Sequence, residues 1–350
     1  MSNIQLLEEV VPHLTIRELD SALYGTHLDL RATYYPLGFP VEVITNDRVV
    51  LEGARESWRR FAIRRDYAAL TIRLEVAEEI TENEGKKEGV TDRRDVEVPS
   101  APVCRMSGHL LANVADSSNF LIADFNEGCA FGRVTRQTVQ ASRYFRYHML
   151  EAAALSMIAG LRAAPIHGAC VATNGNRALL LCGDSGAGKS SLAYAAACAG
   201  WTYICDDASY LLLENDDCIV AGNCHQFRFR AAGLSLFPEL ARAPITPRAA
   251  GKPAVEIPTA VLPKITTSET AHIGSIVFLN RQCGDEHSLN KLSRESVWPW
   301  FEKHLFQNTI SYPIQQTAIE RLLDHNIFEL RYQSLPWAIE RLQTLSEAGR

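Results

Sequence analysis

The run Gly183-Asp184-Ser185-Gly186-Ala187-Gly188-Lys189-Ser190 has the spacing G-x-x-x-x-G-K-[ST], whose residue types suit a chain of phosphates. Gly183, Gly186 and Gly188 carry no Cβ, so successive N–H groups can converge on phosphate oxygens. A helix expected from near Lys189 adds unpaired N–H groups and the positive end of its dipole. Lys189 is expected to reach the β- and γ-phosphates, the Ser190 hydroxyl to ligate Mg²⁺, and Ser191 to close the binding set. The apolar run Ala178 to Cys182 reads as a buried strand leading in, and Ser191 to Ala199 as a helix leading out. That order predicts a binder of a nucleotide or another polyphosphate. The letters Gly-Asp-Ser-Gly at 183–186 also match the nucleophile segment of a trypsin-like protease, but Lys189 and an alanine-rich helix follow where a β-barrel loop would be needed.

One helix and one strand further on stand Asp206-Asp207, at the carboxyl end of the apolar stretch Trp201 to Cys205. Two adjacent acids beside a phosphate site offer two roles. One can hold Mg²⁺, directly or through water, and the other can accept a proton from an attacking hydroxyl. The competing reading is a pair of surface turn acids. No glycine-rich transporter signature and no N-K-x-D base-reading motif follows. The spacing favours a kinase with a small core.

His167-Gly168, GDSGAGKSS and AGWTYICDDASYLLL together resemble the catalytic core of the HPr kinase/phosphorylase family. The resemblance is strong over 165–215 and holds in outline to 300. It implies an α/β fold of the phosphoenolpyruvate-carboxykinase-like type. It also implies that Lys189 and Ser190 bind phosphate and Mg²⁺, that Asp206 and Asp207 serve metal and catalysis, and that His167 belongs to the site. Bifunctional members carry a Glu-Val-Arg-Gly-Leu-Gly type signature downstream. Here His225 to Leu234 keeps arginines and a glycine without that acid. The likeness is therefore to the broader group of related proteins, in which some members phosphorylate free serine and others ribosomally made precursor peptides. HPr kinases are hexameric, which implies a homo-oligomer.

Outside that core, Arg228 and Arg230 would share one strand face and could clamp phosphates, or form a plain solvated face. Arg242, Arg248, Lys252 and Lys264 lie in a Pro- and Ala-rich segment, 241–264, that reads either as a basic mobile loop able to close over a triphosphate or as a surface linker. Arg281 follows the apolar strand Ile276 to Leu279 and would face phosphate from a strand end. His167 could shuttle a proton or bind phosphate, or be a satisfied structural histidine.

At 350 residues the chain is expected to fold as two domains, 1–135 and 136–350, with ample core at 47% hydrophobic content. Its net charge of −6, with both signs interspersed, argues against a nucleic-acid surface. Nine cysteines fall in apolar runs, Cys170, Cys182, Cys198 and Cys205 among them, and read as small buried hydrophobes in a reducing compartment. The start MSNIQLLEEVVPHL lacks a basic n-region and apolar h-region, and no run is long enough to span a membrane, which predicts a cytoplasmic protein.

Strands are expected at Val41 to Thr45, Arg48 to Leu51 and Leu70 to Val76, with a short helix from Ala54 to Phe61. Residues 78–97 read as an exposed charged loop. Short strands are expected between Cys104 and Val134, then one long helix from Gln137 to Leu161. After the core, Asp216-Asp217 would turn a hairpin between Ser209–Glu214 and Cys218–Ala221. Helices at Val297 to Phe306 (Pro299 in the first turn), Ile314 to Asp324 and Leu335 to Ser346, with a strand at Ile327 to Arg331, would cover the sheet.

The expected fold is thus an α/β kinase core with an additional α+β amino-terminal domain. The expected activity is ATP- and Mg²⁺-dependent transfer to a serine-type hydroxyl of a protein or peptide. Alternatives are a small-molecule kinase, such as one for free serine, and a nucleotide-binding module without turnover.

Overall fold

The computed structural model describes residues 27–77, 101–173, 177–214, 217–240, 243, 245–246, 254–281, 287–307 and 309–348. It is a mixed α/β chain with sheets of parallel and antiparallel strands, and it divides into two compact units, the first running to Leu161 and taking in 308–310, the second holding 162–307 and 311–350.

The first unit holds a seven-stranded sheet. Its strands are β1 (Leu30–Tyr34), β2 (Val41–Thr45), β3 (Leu70–Ala77), β4 (Val103–Ser107), β5 (Leu110–Asp116), β6 (Asn119–Asp124) and β7 (Cys129–Thr135), in the order β1-β2-β3-β7-β6-β5-β4. β3 alternates as read, with Leu70, Ile72, Leu74 and Val76 buried. Arg48 to Leu51 is not a strand; it opens helix α1 (Arg48–Trp58). The Asp47 carboxylate accepts the Val49 N–H at 2.9 Å, and Val50, Gly53, Ala54 and Trp58 bury one face at helical spacing. Cap and periodicity together outweigh the β-branched pair.

The long helix expected from Gln137 is broken into α2 (Arg136–Gln140), α3 (Ser142–Phe145), a π-helical segment (Arg146–Glu151) and α4 (Ala152–Leu161). Ala141, at φ −74° and ψ 62°, interrupts it. The π turn carries buried Arg146, which pairs with Glu56 and donates to Ser57. α4 packs on β3, β6 and β7, so these helices belong with the first unit instead of beginning a second domain at 136.

The second unit is built on β8 (Ala163–Ile166), β9 (Gly168–Ala172), β10 (Ala178–Cys182), helix α5 (Lys189–Cys198), β11 (Thr202–Cys205), β12 (Ser209–Leu212), β13 (Ile219–Gly222), β14 (Gln226–Arg230), β15 (Ile245–Thr246), β16 (Ala254–Pro258), β17 (Thr266–Thr267), β18 (Thr270–Asn280), β19 (Ser288–Lys291), helix α6 (Arg294–Glu302), helix α7 (Tyr312–Leu322), β20 (Asn326–Arg331) and helix α8 (Leu335–Ala348). Ten strands share one sheet, and β14-β16-β15 form a small second one. β10 and β18 pair in parallel at the centre, and β20 continues in parallel on β18.

Both faces of the large sheet are covered, which is why β10 reads as an unbroken apolar run. Leu179 and Leu181 join the cluster under α5 and α8, while Leu180 and Cys182 join the cluster under α6 and α7. The expected hairpin forms as β12–β13, its turn at Asp216 lying outside the described residues. Among the described cysteines Cys170, Cys182, Cys205, Cys218 and Cys224 are buried as expected, whereas Cys129 is half-buried and Cys104 and Cys198, the last residue of α5, are exposed. Pro299 is not in a first turn, because Ser293 caps α6 earlier and leaves the proline inside the helix. The segment 241–264 is only partly loop. Ala254–Pro258 is a strand on β14, Lys264 is exposed, and Arg242, Arg248, Lys252 and the 78–97 segment lie outside the described residues. Among the described residues no helix is long and apolar enough to cross a membrane.

Candidate functional site

The glycine loop sits between the end of β10 and the start of α5, where the parallel pair β10–β18 ends. Gly183, Gly186 and Gly188 all have positive φ. Gly188 is also the residue before α5, in a left-handed conformation and with no side-chain cap, so the helix's first N–H groups keep their donor capacity. Its Cα lies close under a tyrosine: a Cβ there would fall 2.5 Å from the Tyr332 hydroxyl. Tyr332 follows β20 and donates to the Ala187 carbonyl at 3.4 Å, bracing the loop from behind.

Lys189 folds back onto this loop. Its Nζ donates to Gly183 O at 2.7 Å and to Asp184 O at 3.2 Å, and meets His167 Nε2 at 3.0 Å. Burial holds its ammonium below the ordinary lysine range. His167 occupies the single residue between β8 and β9, and its Nδ1 faces Asp207 Oδ1 at 3.6 Å. Burial, then the Lys189 charge, lowers His167 below the usual imidazole value. The His304 ring lies 6.1 Å from that of His167.

The two aspartates part company. Asp206 is only 4% exposed, and both of its carboxylate oxygens are engaged inside the protein. One oxygen accepts from the Tyr203 hydroxyl at 3.0 Å, the other from the Arg228 N–H at 2.9 Å. Burial, then the neighbouring Asp207, pushes Asp206 up to about 6. The Asp207 side chain, 47% exposed, faces the cleft. Ser190 donates its hydroxyl to the main-chain oxygen of Asp206 at 3.3 Å. Of the expected metal set, Ser190 and Asp207 therefore line the cleft and the Asp206 carboxylate does not. Among the described residues no group of three or more His, Cys, Asp and Glu side chains gathers where it could hold a metal.

The cleft itself has a volume of about 610 Å³. His167, Ser185, Gly186, Gly188, Lys189, Ser190, Ser191 and Asp207 line it, together with Arg228, Arg230 and Arg281. Gly183, Asp184 and Ala187 of the same glycine loop are not among the cleft's lining residues. Phe229, Leu236 and Ala254 give one part of the wall an apolar surface. The motifs could not disclose Tyr332 or His304, because each arrives through strand pairing or helix packing and carries no spacing signal of its own.

No protein-family model matches the chain, and no curated protein matches it. Among solved structures, the Hpr(Ser) kinase/phosphatase from Coxiella burnetii is similar over 53% of this chain and 96% of its own, at 14% identity and a TM-score of 0.30. Similarity at that level places no constraint on the chemistry of this chain, which rests on its own residues.

Proposed function

We propose that the chain is a phosphotransferase: a kinase that uses ATP with Mg²⁺ to phosphorylate a serine-type hydroxyl on a protein or peptide, in the cytoplasm and as a homo-oligomer. The observation that carries this reading is the convergence, in one cleft, of an N–H-rich glycine loop, Lys189, and the exposed carboxylate of Asp207 beside His167. The loop and the first turn of α5 hold the polyphosphate by their N–H groups. Lys189 gives up bonds to the loop carbonyls and turns them to phosphate oxygens. Ser190 would hold the cation, whose remaining ligands would be phosphate oxygens and water. Mg²⁺, when bound, supplies neutralisation of phosphate charge.

The acceptor oxygen approaches Asp207, which takes its proton as the new P–O bond forms and the bond to the departing ADP breaks. His167 positions that carboxylate. Asp206 supports the site from within, joining β11 to β14.

The test is transfer from γ-labelled ATP with Mg²⁺ into a cell lysate separated into protein, peptide and metabolite fractions, beside Lys189→Ala and Asp207→Asn. Label in the protein or peptide fraction, absent from both variants, supports the reading. Label confined to metabolites replaces the acceptor with a small molecule. Nucleotide binding with no transfer to any fraction leaves a binding module and overturns the kinase.

A further inference from the structure

Two guanidinium groups face the cleft without a carboxylate partner among the described residues. Arg230 ends β14, where the sheet register sets it opposite Ala254 of β16. The bond it makes is donated to the Ser185 hydroxyl at the tip of the glycine loop. Arg281 follows β18 directly and is half-buried against the other end of the same loop; a Cβ on Gly188 would lie 3.5 Å from its Cδ. Arg228 differs from both, because its register partner is Glu256 and Nε meets Oε1 there at 3.2 Å. Among the remaining cleft residues, Lys189 adds a third cation, and Asp207 is the carboxylate that faces it.

Arg281 is half-buried, and a charged donor partly withdrawn from water loses hydration that an anion must replace; Arg230 is exposed and contributes its charge at the rim of the same loop. Arg228 has that anion in its own sheet. Arg230 and Arg281 do not, and they approach the loop from two strand ends, near Ser185 and near Gly188. A single carboxylate or phosphate could answer one of them. A linear chain of phosphates lying along the loop answers both, and each guanidinium fork fits two of its oxygens.

We infer that Arg230 and Arg281 form a two-point clamp for the polyphosphate chain of the donor, each binding phosphate oxygens directly. The inference rests on the polyphosphate-binding part of the function proposed above. It concerns binding and makes neither arginine a proton carrier.

Calorimetric titration of the full chain with inorganic tripolyphosphate tests the clamp apart from any acceptor or base. Arg230→Ala and Arg281→Ala should each weaken binding by about tenfold or more, and Arg281→Lys should fall between, since lysine keeps the charge and loses the fork. Thermal unfolding run beside each variant confirms the fold, and Arg281→Lys serves if the alanine variant does not fold. Binding within about twofold of the natural chain in a folded Arg230→Ala or Arg281→Ala variant overturns the clamp, and so does a natural chain that binds no tripolyphosphate. The two readings separate cleanly. Tight arginine-dependent tripolyphosphate binding with no phosphoryl transfer sinks the kinase and keeps the clamp, whereas transfer that is indifferent to both arginines does the reverse.

Discussion

Lys189 Nζ lies 3.0 Å from His167 Nε2 and has two carbonyl acceptors besides, Gly183 O and Asp184 O. An ammonium has three protons, and here each has an acceptor. Nε2 therefore accepts, which puts the imidazole proton on Nδ1, the nitrogen facing Asp207. Lysine, histidine and aspartate form one line through the cleft, and its polarity is set from the lysine end.

That line has a pH signature. His167 is held below its ordinary 6.5, so the unfolded chain binds this proton more readily than the folded one. Its contribution to stability is complete above pH 6.5 and declines as pH falls below it. His167→Gln, which can still accept from Lys189, should flatten this part of the acid limb in thermal unfolding measured from pH 7 to 5. An acid limb unchanged in the variant would show that His167 does not shape it.

Asp206 carries the opposite sign. Its folded value is raised from 3.8 to about 6, so its contribution is present below pH 3.8 and lost as pH rises through 6. Asp206→Asn keeps the shape, and its amide can donate to Tyr203 while its oxygen accepts from Arg228. At pH 8 the variant should be at least as stable as the natural chain, by up to about 2 kcal/mol. Transfer activity should survive in Asp206→Asn and fall by about a hundredfold or more in Asp207→Asn. Equal losses in the two variants would return Asp206 to the chemistry.

Gly188→Ala should abolish polyphosphate binding. At φ +97° an alanine is strained by about 1–2 kcal/mol, and its Cβ would also strike the Tyr332 hydroxyl. Adding Tyr332→Phe removes the collision and leaves the backbone strain. The double variant should regain part of the lost stability in urea unfolding and little of the binding; full recovery of both would mean that sterics alone set the loop.

Tyr203→Phe removes a fully buried hydroxyl that lies 3.0 Å from Asp206 Oδ1 and 2.8 Å from Gln226 O. A cost of about 1–3 kcal/mol in urea unfolding is expected. A neutral result would mean that neither acceptor depends on the hydroxyl.

The strand–loop–helix around Lys189 was legible because each part announces itself locally: an apolar run, three glycines, then alanine-rich helix. The alternation of β3 was legible for the same reason. Arg48 to Leu51 misled because β-branched Val49 and Val50 look strand-like until the Asp47 cap and the burial of Trp58 are weighed with them. Asp206-Asp207 is legible as a pair, but two neighbours on a chain give no sign of which turns inward. That is decided by Tyr203 and by the Arg228 N–H on a different strand. The separate fates of Arg228 and Arg230 depend likewise on the register that sets Glu256 opposite one and Ala254 opposite the other.

The brace between Tyr332 and Ala187 spans 145 positions of sequence. A ribosome has therefore released the whole glycine loop, and helix α5 with it, long before the strand that buttresses the loop exists. During that interval β18 has no β20 beside it. The loop waits for the last strand of this sheet in chain order, so its brace is made 145 positions after the carbonyl it holds. A chain stopped short of β20 would carry every letter of the motif and still lack the support that shapes it.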